Sequence, residues 1–342
     1  MNTHFNVRSK VFGKRDRSGS DAYKRGPAAP PEPPVPQSPP ESLEPVVIDA
    51  LMHGEEEKMG ACLVPGIRPA LIDPGPANTA ENVIGALGAL GINRLDSIVL
   101  THIHFDHAGG AGHLAERFPE ATVYIHSRAA RHLADPAQLT ESVRSVWGEE
   151  TEALFGLPLA IPDQRIARID DGDTIDLGDR RIEVIATPGH TRSHLAYFDR
   201  ETGALFCGDA LGVQLPGSQV IRPSTPPMDF SLDDAIESIG KIRAIEPETI
   251  YMSHFGEAAP DPGPACDQAI EAIERWYESF LHKREIAEND EDLRRRFHAC
   301  LEATLEPVSP VTRRNLETVN PAWLNIDGMT GALEREIRHH AA

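Results

Sequence analysis

The sequence predicts an α/β fold, a sandwich of two sheets covered by helices and followed by a C-terminal helical extension. Short apolar runs separated by turn residues gather into two blocks, one beginning near Val46 and the other near Ala167. Each block is followed by helical segments, and after Gly256 the apolar spacing becomes almost wholly helical. Strand-rich blocks that alternate with helices in this way are typical of two packed sheets with helical outer layers.

In the first block, the runs VVIDAL, ACLVPG and PALIDPGP predict strands joined by tight turns. The segment ANTAENVIGALGALGI predicts a helix, because Asn78 and Glu81 suit a capping box and Gly91 suits the C-terminal end. Its predicted apolar face comprises Val83, Ile84, Leu87 and Leu90. DSIVLTH then predicts a short buried strand, GAGHLAERF a helix and ATVYIH another strand, and residues 127–165 are predicted to be helical and loop-rich.

The second block runs through ARIDDGDTIDLGDRRIEVIATPGH, SHLAYFD and GALFCGDA. SLDDAIESIGKIRAI predicts a helix and ETIYMSHFG one more strand. The extension is predicted from two apolar series at helical spacing, Ile270, Ile273, Trp276, Tyr277 and Phe280, and then Leu293, Phe297, Leu301 and Leu305. We expect it to cap the sandwich, and pairing of subunits through it is the alternative, so the oligomeric state stays open.

Composition restricts the partners. The chain has 342 residues, 40 % of them hydrophobic and 25 % charged, which is enough for one enzyme-sized domain with an appended unit. The formal net charge of -20 disfavours nucleic acid, because such binders neutralise phosphates with clustered Lys and Arg. We therefore expect a small-molecule substrate and neither a nucleic-acid nor a membrane partner.

The chain is predicted to divide into three regions: a basic and proline-rich disordered tail at 1–44, a catalytic domain at 45–258 and a helical extension at 259–342. The four cysteines are far apart and form no CxxC pair, which argues against a cysteine zinc site or a disulfide framework. No segment approaches the length of a membrane span, and the basic start precedes no apolar signal core. We expect a cytoplasmic protein.

The motif THIHFDHAGG follows the apolar run SIVL and carries the strongest chemical signal. In extended chain, alternate side chains share a face, so His102 and His104 can reach one metal ion. As the chain turns, Asp106 and His107 can then reach a second metal ion at a neighbouring position. The glycines at 109 and 110 allow a helix to start close by.

Three further apolar runs end in ligand-type side chains: TPGH with His190, CGDA with Asp209 and MSHFG with His254. Imidazole and carboxylate together suit zinc, iron or manganese, and strand ends supply the rigidity that a pair of ions about 3.5–4 Å apart requires. The ordered set of these residues within one domain is a specific signal of a metal centre.

These residues resemble the metallo-β-lactamase-fold hydrolases over roughly residues 46–258. The resemblance implies an αββα sandwich with two Zn²⁺ ions, or Fe or Mn, at one edge. It implies that His102, His104 and His190 hold the first ion, that Asp106, His107 and His254 hold the second, and that Asp209 bridges them. Asp73 in LIDPG looks like the family's aspartate that supports the ligands.

The activity that the resemblance implies is a metal-dependent hydrolase, in which a hydroxide bridging two ions cleaves a small ester, thioester, lactone or amide. Asp106 is the candidate catalytic residue that steers the nucleophile and passes a proton to the leaving group. Arg222 is a candidate for holding an acidic substrate group, with a structural salt bridge as the alternative. The resemblance implies that the region of His53 can border the substrate cleft. His194 is expected to belong to the next strand, with a position near the site as the alternative.

Other functions remain as alternatives. The continuation GDALGVQLPG lacks the glycine and cysteine pattern typical of glyoxalase II-like thioesterases and persulfide dioxygenases, and Gly212 stands where acyl-homoserine lactonases often have a tyrosine. The runner-up is an iron-dependent oxidoreductase on the same fold, diiron or persulfide-dioxygenase-like. A scaffold whose metals are purely structural is a third possibility.

Overall fold

The computed structural model describes residues 42–258, 261–304 and 308–341. Most of the predicted N-terminal tail, and Leu305 of the predicted helical series, therefore lie outside the described residues. Within the described parts, no helix is long and apolar enough to cross a membrane.

The first sheet has six strands in the order β1-β2-β3-β4-β5-β6. Its pairs β1/β2 and β2/β3 are antiparallel, whereas β3/β4, β4/β5 and β5/β6 are parallel. The strands are β1 Val46–Asp49, β2 Gly60–Val64, β3 Ala70–Ile72, β4 Ser97–Val99, β5 Thr122–His126 and β6 Ile166–Ile169. Because β3 and β4 are parallel neighbours, the residues that follow them meet at one edge of the sandwich.

The second sheet also has six strands, in the order β12-β11-β10-β9-β8-β7. All its pairs are antiparallel except β10/β11, which is parallel. The strands are β7 Thr174–Asp176, β8 Arg181–Ala186, β9 Leu195–Asp199, β10 Ala204–Gly208, β11 Thr249–Met252 and β12 Gly256–Glu257. The ends of β10 and β11 therefore also lie side by side.

The two sheets pack face to face through a shared core. Ile72 and Val99 of the first sheet lie in one buried cluster with Val184 and Phe206 of the second. Tyr197 is fully buried, and its hydroxyl donates to the backbone carbonyl of Leu100, 2.6 Å away. Burying these apolar side chains excludes water from the space between the sheets, which stabilises the sandwich.

Helices cover both outer faces. The first face is covered by α1 Ala80–Ala89, α2 Phe105–Ala108, α3 Ala111–Arg117, α4 Ala130–Ala134, α5 Ala137–Trp147 and α6 Thr151–Phe155. The second is covered by α7 Leu232–Ile245 and the start of α8 Pro262–Ile286, whose Ile239, Ile242 and Ala269 pack with Leu205 and Ile250 of the sheet. The layers are therefore α, β, β and α, and the predicted fold class is confirmed.

The helical extension is confirmed as well. It continues from α8 through α9 Asp290–Thr304, α10 Pro310–Val319 and α11 Ala322–Ala341. Trp276, Phe280 and Phe297 form a buried cluster with Phe230, a residue of the loop before α7. The apolar faces of the extension thus pack within this chain, against each other and against the sandwich, as the cap interpretation expects.

Two local predictions were wrong. The run around Ala167 forms β6, which pairs with β5 in the first sheet, so the second sheet begins only at β7. The capping box at Asn78 does not form, because the Asn78 amide donates to the carbonyls of Ala153 and Leu154 at 3.1 Å and the N-cap of α1 is Thr79. A tertiary contact has replaced the local one.

Candidate metal centre

The predicted ligand residues all follow strand ends at one edge of the sandwich. His102 and His104 lie in the loop after β4, and Asp106 and His107 lie on α2. From the second sheet, His190 follows β8, Asp209 follows β10 and His254 follows β11. The structure brings all seven side chains together, in groups whose candidate ligand atoms lie within 4.8 Å of one another.

In the first group, three imidazole nitrogens converge. His104 Nδ1 lies 3.0 Å from His102 Nε2 and 3.1 Å from His190 Nε2. Burial, followed by repulsion from the neighbouring imidazoles, holds the pKa of His102 and of His190 well below its usual value. These rings are therefore neutral at pH 7, which is the state in which an imidazole nitrogen binds a metal ion.

In the second group, Asp106 Oδ2 lies 3.5 Å from His254 Nε2 and 3.8 Å from His107 Nε2. Asp209 stands between the groups. Its Oδ2 is 3.5 Å from His190 Nε2, and its Oδ1 is 3.5 Å from His107 Nε2. One carboxylate thus faces both groups, one oxygen to each, which is the arrangement expected of a bridging ligand.

Hydrogen bonds at Nδ1 fix the tautomer of four of these histidines. His190 Nδ1 donates to the carbonyl of Ser224 at 3.1 Å and His254 Nδ1 to the carbonyl of Lys58 at 2.6 Å. His107 Nδ1 donates to Asp73 at 2.9 Å, and His102 Nδ1 donates to the Thr101 hydroxyl at 3.0 Å. In each neutral ring, Nε2 therefore carries the lone pair and faces the centre of the cluster.

Asp73 connects the two sheets at this edge. Its fully buried carboxylate accepts hydrogen bonds from the Thr101 backbone N–H at 2.8 Å, the Thr101 hydroxyl at 2.7 Å, His107 Nδ1 at 2.9 Å and the Ser253 hydroxyl at 2.8 Å. Thr101 and His107 belong to the metal loop of the first sheet, and Ser253 precedes His254 in the second. The predicted supporting aspartate therefore lies where it orients residues of both groups.

His194 lies beside the metal centre, the alternative position in the sequence interpretation, and not within the next strand. Its Nδ1 donates to the Thr187 hydroxyl at 2.8 Å, and its Nε2 accepts from the backbone N–H of Asp209 at 3.2 Å. Its ring also stacks on His102, with the centroids 5.0 Å apart. Burial lowers the pKa of His194 to about 3, so the ring stays neutral and its Nε2 remains an acceptor. The HxxxH spacing of TPGHTRSH was the available signal.

Charge differs between the two groups. Burial disfavours the charged form of His107, yet the carboxylates of Asp209, Asp106 and Asp73 together raise its pKa to about 10. Burial alone would raise the pKa of the Asp106 carboxyl, but His107 and His254 hold that pKa well below its usual range. Without a metal ion, a proton on His107 thus compensates the carboxylates that surround it.

The residues present fit a metal centre. His107 Nε2 and Asp209 Oδ1 are buried and have no hydrogen-bond partner, which is costly for polar atoms unless something else binds them. A mixture of imidazole and carboxylate donors suits zinc, iron or manganese. The side chain of Asp106 is 19 % exposed and His104 is half-buried, whereas the side chain of His107 is fully buried, so the cluster is reached from solvent on the side of Asp106 and His104.

Arg222 does not face this cluster with a free guanidinium. The side chain is 1 % exposed, and Nη2 donates to Glu317 Oε1 on α10 at 2.5 Å. The guanidinium carbon also lies 5.6 Å from the Trp276 ring centroid. The structural salt bridge that was the alternative is therefore present, between the loop after β10 and the extension, and the substrate contact stays a prediction.

A row of four aromatic rings begins at His53, close to the metal centre. His53 interacts electrostatically with Asp106 and His254, and its ring lies 6.3 Å from Phe155. Trp147 follows at 5.4 Å from Phe155 and contacts Trp323 of α11 at 5.2 Å between centroids. Both ring nitrogens of His53 are shielded from water and lack hydrogen-bond partners. Phe155 is buried in the core of the first sheet, so the surface of this row comes from His53, Trp147 and Trp323.

Comparison with curated proteins shows similarity to the "Metallo-beta-lactamase fold-containing protein ST1585" of Sulfurisphaera tokodaii, at 29 % identity over 202 residues, 58 % of this chain and 71 % of that protein. A hydroxyacylglutathione hydrolase of Gloeothece citriformis is 31 % identical over 191 residues. That alignment covers 54 % of this chain and 58 % of the hydrolase, so the chain spans little more than half of that relative.

Solved structures show the same fold. The crystal structure of ST1585 from Sulfolobus tokodaii superposes with a TM-score of 0.59 at 24 % identity, covering 84 % of this chain and 98 % of that one. The metallo-beta-lactamase family protein TTHA1429 from Thermus thermophilus gives 0.56 at 21 % identity, covering 83 % and 89 %. The family described as the metallo-beta-lactamase superfamily matches residues 44–254, a stretch that ends on the last of the clustered histidines. The chain therefore belongs to the metallo-beta-lactamase superfamily.

Proposed function

We propose that this protein is a hydrolase that holds two divalent metal ions, zinc in the first instance, and cleaves a small ester, thioester, lactone or amide. The observation that carries the proposal is Asp209, whose two carboxylate oxygens face different groups of histidines. A single structural ion has no need of a carboxylate placed between two clusters of ligand atoms.

In this proposal, His102, His104 and His190 hold one ion, Asp106, His107 and His254 hold the other, and Asp209 contacts both. When bound, such a pair of ions supplies a nucleophile from water near neutral pH and polarises the substrate carbonyl. The protein contributes rigidity, since the Nδ1 hydrogen bonds to Ser224, Lys58, Asp73 and Thr101 hold each ring in its binding orientation.

Asp106 is the proposed catalytic carboxylate. It is ionised at neutral pH and lies on the solvent side of the cluster, where a substrate approaches. From there its carboxylate can take a proton from the attacking water and pass that same proton to the leaving group. The buried ligands have no comparable access to the leaving group.

We propose that the row of rings forms a wall of the substrate cleft, and such a wall favours an uncharged or apolar acyl group. The row of rings from His53 to Trp323 offers aromatic surface, whereas the nearby cation Arg222 is committed to Glu317. The relatives named hydroxyacylglutathione hydrolase support an acyl-transfer chemistry such as thioester hydrolysis. Their alignments omit a large part of each chain, so the thiol portion of the substrate is left open by this proposal.

The test is hydrolysis of a panel of chromogenic esters, lactones and thioesters by the zinc-loaded protein. We expect Asp209→Ala to lower the rate at least about a hundredfold and to retain less metal by mass spectrometry. Asp176→Asn, a change to an exposed carboxylate paired with Arg68, serves as the control and should match wild type. Equal rates for wild type and Asp209→Ala would refute the proposal. Preferential retention of iron with oxygen consumption would favour the oxidoreductase alternative.

A further inference from the structure

The loop at 222–226 orients two of the candidate ligands. The backbone carbonyl of Ser224 accepts from His190 Nδ1 at 3.1 Å, and the Ser224 hydroxyl lies 3.4 Å from Asp209 Oδ2. The carbonyl acts through its position alone, because any residue at 224 would supply one. What holds this loop in place therefore also determines which nitrogen of His190 carries the proton.

Asn325 of α11 holds the loop on the C-terminal side of Ser224. Its amide oxygen accepts from the Thr225 backbone N–H at 2.7 Å and from the Thr225 hydroxyl at 2.9 Å. Its amide nitrogen donates to Asn320 Oδ1 at 2.6 Å and to the carbonyl of Pro321 at 3.1 Å. Asn325 is 1 % exposed, so these contacts satisfy an amide that has no access to solvent.

Two further contacts leave the loop little freedom. On the N-terminal side of Ser224, Asn320 Nδ2 donates to the carbonyl of Pro223 at 2.8 Å. On the other side, Gly328 packs so closely that a Cβ atom there would lie 1.8 Å from the Thr225 carbonyl oxygen and 2.6 Å from that of Pro226. The backbone on both sides of Ser224 is thus fixed by residues of the helical extension.

We propose that Asn325 is a positioning residue of the metal centre, which acts through Thr225 and Ser224 to keep His190 in its Nδ1–H tautomer with Nε2 directed at the ion. The inference rests on the proposed function, since it takes His190 as a ligand. It assigns the extension a role in metal binding, in addition to its role in covering the sandwich. Loss of partners outside the ligand shell commonly lowers metal affinity about 10- to 100-fold.

The experiment compares wild type, Asn325→Leu and Tyr277→Phe. The control removes the Tyr277 hydroxyl, which donates to Glu336 at 3.1 Å within the same extension but away from the loop. Zinc affinity is measured by competition with a chelator. The tautomer of His190 is read by ¹⁵N NMR of the metal-free protein, with His190→Gln used to assign its signals.

For Asn325→Leu we expect zinc affinity about tenfold below wild type and loss of the single Nδ1–H tautomer at His190. Tyr277→Phe should lower the melting temperature and leave both readouts unchanged. If Asn325→Leu does not fold, Thr225→Val, which removes only the hydroxyl contact, should show a smaller change in the same direction.

The inference would be overturned if Asn325→Leu, or Thr225→Val in its place, bound zinc as tightly as wild type and kept the single Nδ1–H tautomer at His190. It would also be overturned if Tyr277→Phe lost as much zinc affinity as Asn325→Leu. A wild-type protein that binds no zinc would instead overturn the proposed function, while the tautomer measurement would still report on the Asn325 contact.

Discussion

Replacing Glu317 by Ala removes the anion that neutralises Arg222. The guanidinium is then left 1 % exposed, with Nε and Nη1 already lacking hydrogen-bond partners. The Trp276 ring and the carboxylate of Glu302, which attracts Arg222 without a direct ion pair, are its remaining electrostatic partners. Removing one partner of a buried ion pair costs about 3–5 kcal/mol, because the other charge stays desolvated. Since Glu317 is 28 % exposed, water can reach the vacated position, and we expect a loss near the lower limit, about 3 kcal/mol.

The measurement is urea unfolding followed by tryptophan fluorescence, on the zinc-loaded protein. Glu317→Gln is an intermediate control, because its single amide oxygen can still accept from Arg222, whereas the amide nitrogen replaces the Oε2 that accepts from the Ala322 N–H at 3.1 Å. The double variant Arg222→Met with Glu317→Ala removes the charge altogether and should be more stable than Glu317→Ala alone.

This reasoning would be refuted if Glu317→Ala lowered the free energy of unfolding by less than about 1 kcal/mol. It would also be refuted if the double variant lost the full sum of the free energies lost by Arg222→Met and Glu317→Ala separately. The single variant Arg222→Met, which the sum requires, also tests the predicted substrate role of Arg222. If Arg222 held an acidic substrate, Arg222→Met would raise KM for acidic substrates at unchanged stability.

Three further outcomes are expected. Because the pKa of His107 is raised to about 10, zinc binding at pH 7 should release at least one proton, and affinity should rise by about tenfold per pH unit for each proton released, up to that pKa. Calorimetry in buffers of different ionisation enthalpy measures the release, and zero protons would contradict it. Gly208→Ala should lower the free energy of unfolding, measured by thermal unfolding, by more than the about 1–3 kcal/mol that backbone strain alone costs. The reason is that φ is +52° and the added Cβ would also lie 2.7 Å from His194 Nε2. Gly91→Ala, with φ +79° and open space, is the matched control that carries the strain alone. His53→Ala removes a ring from the proposed cleft wall, so KM should rise severalfold with little change in kcat, and an unchanged KM would remove His53 from the cleft.

The sandwich could be predicted because the short apolar runs, the turn residues between them and the helical segments after them are all visible within short stretches of sequence. It could not assign β6 to the correct sheet, since membership depends on pairing with β5 across the intervening helices. Leu90, predicted to lie on the buried face of α1, is 49 % exposed because the helix ends at Ala89. Gly91 does adopt the left-handed conformation expected after a helix end.

The candidate ligands were recognisable because their residue types are unusual at strand ends. Their supporting contacts were less visible. The carbonyls of Lys58 and Ser224 orient His254 and His190 through backbone atoms, which leave no signal in residue type. Asn325 is a polar residue within a helical series, and nothing in the sequence connects it to a loop a hundred positions earlier.

The anchoring of the 222–226 loop by α11 has a consequence for biosynthesis. A nascent polypeptide that has emerged as far as His254 already contains every candidate ligand, yet Asn325 and Gly328 have still to be translated. We therefore expect the ribosome-bound intermediate to capture zinc poorly, and the released, fully folded chain to take up its ions from the cellular pool through the opening beside Asp106.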